Sequence, residues 1–317
     1  ECFSMRALVV VVGVTALLTV GVSSCGTGRG DSTATERGSC PTEPVTVVVS
    51  VDQWGDIVRS LGGDCAKVTT IVSGTSADPH DYEPTPADSA AFANARLVVV
   101  NGLGYDTWAL KATKALDEQP TVVDGGKVVG RTEGDNPHIW YDPAAVQKVG
   151  DAVTGALRVL SPGASAYLDE RSRRWSTAKQ PYLDAISAIA RLTSAAPAGA
   201  ATYAATESVF DDMARAVGLT DLTPRGYRST VANGAEPSPG DIAAFNDVLG
   251  GGKVDVLVDN TQTQGAGPAA IRKEATASDV GVVEVTETMP PDAKGFIQWQ
   301  VDQLTALHAV LEEALRR

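Results

Sequence analysis

From residue 45 onward the chain alternates short apolar runs with longer amphipathic stretches. Val45-Thr46-Val47-Val48-Val49-Ser50-Val51 is a nearly unbroken β-branched run, the pattern of a strand buried on both faces of a parallel sheet. Further strands are predicted at 68–72, 96–101 and 121–123, with helices at 53–61, 86–95 and 105–116 between them. Gly62-Gly63 ends the first of these helices. Asp142-Pro143 opens a helix over 144–160, with proline in its first turn, and Ser161-Pro162-Gly163 breaks it. A long helical pattern then covers 164–192. Pro181 should kink it, because proline removes a helical hydrogen bond and its ring clashes with the turn before. A second alternating series follows, with strands at 201–205, 254–258 and 281–285 and helices at 208–217, 242–249, 268–277 and 296–316.

Such alternation implies parallel sheets with right-handed crossovers. The expected fold is α/β: two parallel-sheet lobes, 44–160 and 195–317, joined by a long linking helix over 161–194, with a ligand site in the cleft between them. No internal sequence repeat is evident. Gly102-Leu103-Gly104 resembles the start of a dinucleotide-binding loop, but the third glycine's place is taken by Thr107, and the segment reads as a turn.

The amino-terminal region has a different pattern. Met5-Arg6 precedes an apolar run over 7–22 and then Ser23-Ser24-Cys25. This is the layout of a secretory signal over 1–24, and the run is short for a membrane span. Val22-Ser23-Ser24-Cys25 resembles a bacterial lipobox, which implies acylation of Cys25; the alternative is an ordinary signal peptide with a chance cysteine. Residues 25–43 are rich in Gly, Ser, Thr and charge and read as a flexible tether. Cys2 falls within the signal segment, so in the exported chain the two remaining cysteines, Cys40 and Cys65, are expected to pair. The alternative, two metal thiolates, matches no zinc-ribbon spacing.

Composition narrows the function. Of 317 residues 43% are hydrophobic, enough for a substantial core, and the net charge is −13. Nucleic acid binding needs a basic face and is excluded as the expected role. An acidic exported protein suits the handling of cations.

The candidate chemistry starts from histidine, of which the chain holds three. His80 lies in Asp78-Pro79-His80-Asp81-Tyr82-Glu83-Pro84 and His138 in Asn136-Pro137-His138-Ile139-Trp140-Tyr141-Asp142-Pro143. Both follow a proline in an Asp- and Pro-rich loop, a stiff platform for an imidazole, and neutral imidazole is a common metal ligand. Carboxylates just past apolar strands lie where ligands of open α/β sheets bind. Glu207, Asp259 and Glu287 occupy such places, although helix capping or a solvated rim would also put acids there.

The two histidine words resemble those of the cluster A-I zinc/manganese solute-binding proteins of ABC transporters, the ZnuA/TroA/PsaA-like family. The resemblance covers about residues 44–315. In that family two ligands come from each lobe. It implies His80 and His138 as the first two and Glu207, in Thr206-Glu207-Ser208-Val209-Phe210, as the third. The fourth place, usually Asp, falls at Glu287 in Thr286-Glu287-Thr288, with Asp259 in reserve. Ala235-Glu236-Pro237-Ser238-Pro239 matches a further family word and reads as structural. The His-rich loop common in zinc members is missing, since no histidine lies between Asp81 and Pro137, and His308 sits in the closing helix.

The function this implies is an exported lipoprotein on the outer face of the cytoplasmic membrane. It would be a monomer that captures Mn²⁺ or Zn²⁺ and hands it to an ABC permease and its ATPase, with no enzymatic step. An oxygen-rich set favours manganese, while the Irving–Williams order makes zinc bind more tightly. Two rivals stand beside this reading. A metal-dependent hydrolase would need an open coordination position and a water-activating acid, for which Glu83 is the nearby candidate. A surface adhesin would need an exposed apolar patch.

Overall fold

A computed structural model describes residues 39–74, 79–197, 201–263 and 265–317. The expected signal peptide, Cys25 and most of the expected tether lie outside the described residues. Within Gly38–Arg317 the chain is one compact unit.

The first sheet holds β1 (Val45–Val51), β2 (Ala66–Val72), β3 (Leu97–Val100) and β4 (Thr121–Asp124), in the order β2-β1-β3-β4 and all parallel. β1 is central: Val48 stands opposite Thr69 on one side and Val98 on the other. Burial on both faces explains why its β-branched run is almost continuous. The connections carry α1 (Asp52–Gly62), α2 (Pro86–Ala93) and α3 (Thr107–Lys114). Beyond β4 come α4 (Gly125–Val129) and α5 (Pro143–Leu160).

The expected linking helix is two helices in tandem, α6 (Ser165–Ala178) and α7 (Gln180–Ala195). Where a kink was expected there is a break, at Lys179. Pro181 stands in the first turn of α7, where its missing N–H has no partner to lose. The second sheet contains β5 (Thr202–Ala205), β6 (Thr220–Asp221), β7 (Val256–Asn260) and β8 (Gly281–Val285), in the order β6-β5-β7-β8 and again parallel. Its helices are α8 (Asp211–Ala216), α9 (Arg225–Ala232), α10 (Pro239–Gly250), α11 (Ala266–Ala277) and α12 (Phe296–Ala314). The two-residue β6 and the short α4 and α9 fall below what hydrophobic periodicity detects. The helix expected over 208–217 starts as a 3₁₀ turn, Ser208–Phe210, before α8.

The α/β class with two parallel-sheet lobes is therefore as expected, and each sheet has four strands in the same spatial order. The lobes share a core. One apolar cluster runs from Val47, Val99 and Trp140 through Phe210 to Phe296, Trp299 and Leu304. Tyr141 bridges it, with ring centroids 5.3 Å from Phe210 and 5.7 Å from Trp299. A smaller cluster, including Tyr227, Phe245, Leu257 and Ile271, lies in the second lobe. At the amino end of β1, Cys40 is bonded to Cys65, with Cα atoms 4.9 Å apart. This links the start of the folded chain to the 3₁₀ turn Gly63–Cys65 between α1 and β2. Among the described residues no helix is long and apolar enough to cross a membrane.

Candidate metal centre

The carboxyl ends of both sheets face a common region, and the loops there carry the candidate ligands. His80 follows β2. The word around it builds its own support. Trp108 Nε1 donates to the Pro79 carbonyl at 2.9 Å. The Tyr82 ring lies 4.9 Å from Trp108, and its hydroxyl donates to Asp88 at 2.8 Å. Thr85 and Asp88 then form a capping box, and Pro86 starts α2. The Tyr-Glu-Pro-Thr-Pro portion is thus a helix start that fixes the base of the histidine loop.

His138 lies beyond β4, just before the 3₁₀ turn Ile139–Tyr141, and is 4% exposed. Its backbone N–H and its Nδ1 lie 3.0 and 2.7 Å from Asn136 Oδ1. An amide oxygen can only accept, so Nδ1 carries the proton and the Nε2 lone pair is left for a ligand. Asn101 Nδ2 donates to the Pro137 carbonyl at 2.9 Å. Asp142 closes the word by capping α5 and pairing with Arg131 at 2.9 Å.

Glu287 arrives from the other lobe, directly after β8. Gln262 Oε1 accepts from the N–H groups of Glu287 and Thr288 at 2.6 and 2.9 Å. Glu287 Oε1 lies 3.6 Å from His80 Nε2 and 3.8 Å from His138 Nε2. One ligand atom of each residue falls within 4.8 Å of the other two. His138 Nε2 and Glu287 Oε1 are buried without a hydrogen-bond partner. Burial pushes the Glu287 carboxyl up, while His138 and His80, when protonated, pull it well below the usual carboxylate range. Ligands about 2.1 Å from a tetrahedral ion are about 3.4 Å apart; the two His–Glu separations are close to that, and the imidazole nitrogens, up to 4.8 Å apart, would draw closer around an ion. Two nitrogens and a carboxylate suit a divalent transition ion.

The floor of the site is Tyr105, which the sequence did not single out. Its ring meets His80 edge-on at 4.6 Å and His138 at 6.3 Å. Burial, with the Glu287 charge added, holds its hydroxyl far above the ordinary tyrosine range. The turn expected at Gly102-Leu103-Gly104 delivers it: all three residues have positive φ, 78°, 60° and 85°. A Cβ on Gly102 would come within 2.2 Å of Asp124, so glycine is required there. The buried Asp106 accepts from the N–H groups of Asn101 and Gly102 at 2.6 and 2.9 Å, and burial pushes its carboxyl up to about 6.

The other candidates stand apart. Glu207, after β5, is outside the cluster; its carboxylate accepts from Asn260 Nδ2 at 2.7 Å and from the Thr263 hydroxyl. Its turn is nevertheless tied to the His138 loop, since Asn136 Nδ2 donates to the Ser208 carbonyl at 2.8 Å. Asp259, the reserve candidate, is 1% exposed and bonded to Arg272 and Thr206. Glu83 is exposed and outside the cluster. Ser238 and Pro239, in the other matching word, form the capped start of α10. A groove of about 930 Å³ runs along β8 between Glu284, Asp292 and Trp299, and shares no residue with the cluster.

Paired α/β lobes with candidate ligands converging from both are the arrangement expected of a solute-binding protein. The family model described as zinc-uptake complex component A, periplasmic, matches residues 47–310, and the chain belongs to that family, within the cluster A-I zinc/manganese solute-binding proteins. The manganese-binding lipoprotein MntA of Halalkalibacterium halodurans is 28% identical over 159 residues, 48% of this chain and 51% of that protein. The chain thus spans about half the length of that relative. The high-affinity zinc uptake system protein ZnuA of Bacillus subtilis is 24% identical over 241 residues, 70% of this chain and 71% of that protein. Among solved structures, the periplasmic zinc-binding protein TroA of Treponema pallidum shares the fold with a TM-score of 0.69. That match is 21% identical and covers 87% of this chain and all of TroA.

Proposed function

We propose that the protein is an extracytoplasmic receptor that captures one divalent transition metal, Mn²⁺ or Zn²⁺, and delivers it to an ABC permease and its ATPase. The observation that carries this reading is the convergence of His80, His138 and Glu287, with His138 Nε2 and Glu287 Oε1 buried and unpartnered, facing each other. Unpaired buried polar atoms are costly, and a bound cation would satisfy both. Named relatives that bind manganese or take up zinc support the same class of cargo.

His80, His138 and Glu287 are the core ligands in this reading. Glu207 is the fourth and reaches the ion by releasing Asn260 and Thr263. The protein acts as a monomer without an enzymatic step, and lobes at 44–160 and 195–317 flank the linking segment 161–194. A signal peptide over 1–24 directs export, and acylated Cys25 with the tether 25–43 holds the protein at the outer face of the cytoplasmic membrane. Replacing either His80 or His138 with Ala should weaken Mn²⁺ and Zn²⁺ at least tenfold in a chelator-dye competition, about 1.4 kcal/mol. The circular dichroism spectrum should be unchanged, since both residues are in loops. Wild-type affinity in either variant would sink the site as drawn.

A further inference from the structure

The two lobes meet beside the ligand cluster through a staple centred on Asp52, the first residue of α1. Asp52 is 4% exposed. Its Oδ2 accepts from the Gly74 N–H at 2.7 Å and its Oδ1 from the Met289 N–H at 3.3 Å. Gly74 lies six residues before His80, and Met289 two residues after Glu287. The same two chain segments are joined a second time, because the Thr288 hydroxyl donates to the Gly74 carbonyl at 2.9 Å. Thr288 is fully buried and also accepts from Gln262 Nε2 at 2.9 Å. One turn further along α1, Asp56 accepts from the Phe296 N–H at 2.8 Å and so caps α12 from the other lobe. One helix of the first lobe thus holds both ends of the Met289–Phe296 segment that leads away from Glu287.

We propose that Asp52 is a positioning residue for the metal site: with Thr288 it fixes the Glu287 loop against the His80 side of the cleft, so the protein sets this ligand spacing without the ion. This rests on the metal-capture reading for its functional consequence, but the staple itself is made of hydrogen bonds between protein groups alone. Both carboxylate oxygens are used, one on each lobe. Asparagine has the same shape but one acceptor oxygen, and its NH₂ would face a backbone N–H. Asp52→Asn therefore releases one side of the staple without opening a cavity.

The test uses Lys114→Cys and Lys253→Cys, exposed positions on the first and second lobes. Both are spin-labelled in the full chain, and the distance distribution is read by pulsed electron resonance. In the wild-type background, metal-free and Mn²⁺- or Zn²⁺-loaded samples should give the same narrow distribution. In Asp52→Asn the metal-free distribution should broaden or shift, and the loaded one should return toward wild type. Affinity for both ions should fall roughly 10–100-fold, as for other residues that orient metal ligands. Thr288→Val, which keeps size and removes the hydroxyl, should act in the same direction and serves if Asp52→Asn does not fold. Wild-type distributions in both metal-free variants would overturn the proposal, as would a broadened distribution with unchanged affinity. If the wild type itself binds neither ion, the capture reading fails, and the metal-free distributions still decide whether Asp52 holds the loop.

Discussion

At the residue scale, the imidazoles can share one ion only if a ring nitrogen of each points the same way, and Asn136 decides this for His138. Its side-chain oxygen accepts a hydrogen bond from Nδ1–H and its amide donates to Ser208 in the other lobe. Asn136→Ala should weaken metal binding roughly 10–100-fold. Asn136→Asp, which keeps the acceptor, adds a charge beside Nδ1 and gives up the bond to Ser208, should retain most of the affinity. Dye competition on the two variants checks this, and equal losses would mean that the link to Ser208 matters rather than the tautomer. The histidines were legible in the sequence because each sits in a proline-framed word whose other residues cap the next helix. Acids after strands were legible only as a set of three. Glu207 and Glu287 obey the same rule, yet Glu207 is held by Asn260 and Thr263, more than 50 residues away in sequence. Such partners appear only once β5 and β7 are side by side. Tyr105 gave no signal of its own, since only the left-handed turn before it shows where its ring goes.

At the scale of elements, periodicity found every long strand and helix because burial dictates those patterns. It overlooked β6, whose two exposed residues have no pattern to read. It also gave one kinked helix where the chain has two, because a proline in a helical run is equally a kink or a fresh first turn. The shared strand order of the two sheets left no repeat in the sequence, since a sheet's order is set by crossovers and not by any particular side chain. The Cys40–Cys65 link illustrates separable elements. It ties the amino end of β1 to the turn before β2, while the ligands lie past the carboxyl ends of the strands. Cys65→Ser should therefore lower stability by about 3.5 kcal/mol, the chain-entropy figure for a loop of 25 residues. Metal affinity should not change. Denaturant melts and a metal titration on the same sample test both halves; a loss of affinity in the folded variant would show that the site depends on this link.

At the scale of the whole molecule, a shared apolar core and the Asp52 and Asp56 contacts join the lobes on either side of the candidate ligands. Two loops of the first lobe supply nitrogen and one loop of the second supplies oxygen, so a cation bound between them engages both lobes at once. The central claim is that His80, His138 and Glu287 together hold one divalent transition ion. The most direct test is elemental analysis after equilibration with Mn²⁺ and Zn²⁺ in competition, followed by gel filtration. The wild type should retain one ion per chain. The triple variant His80→Ala, His138→Ala, Glu287→Ala should elute as a folded protein and retain none. An ion retained at full stoichiometry by the triple variant, or none retained by the wild type, would contradict the account.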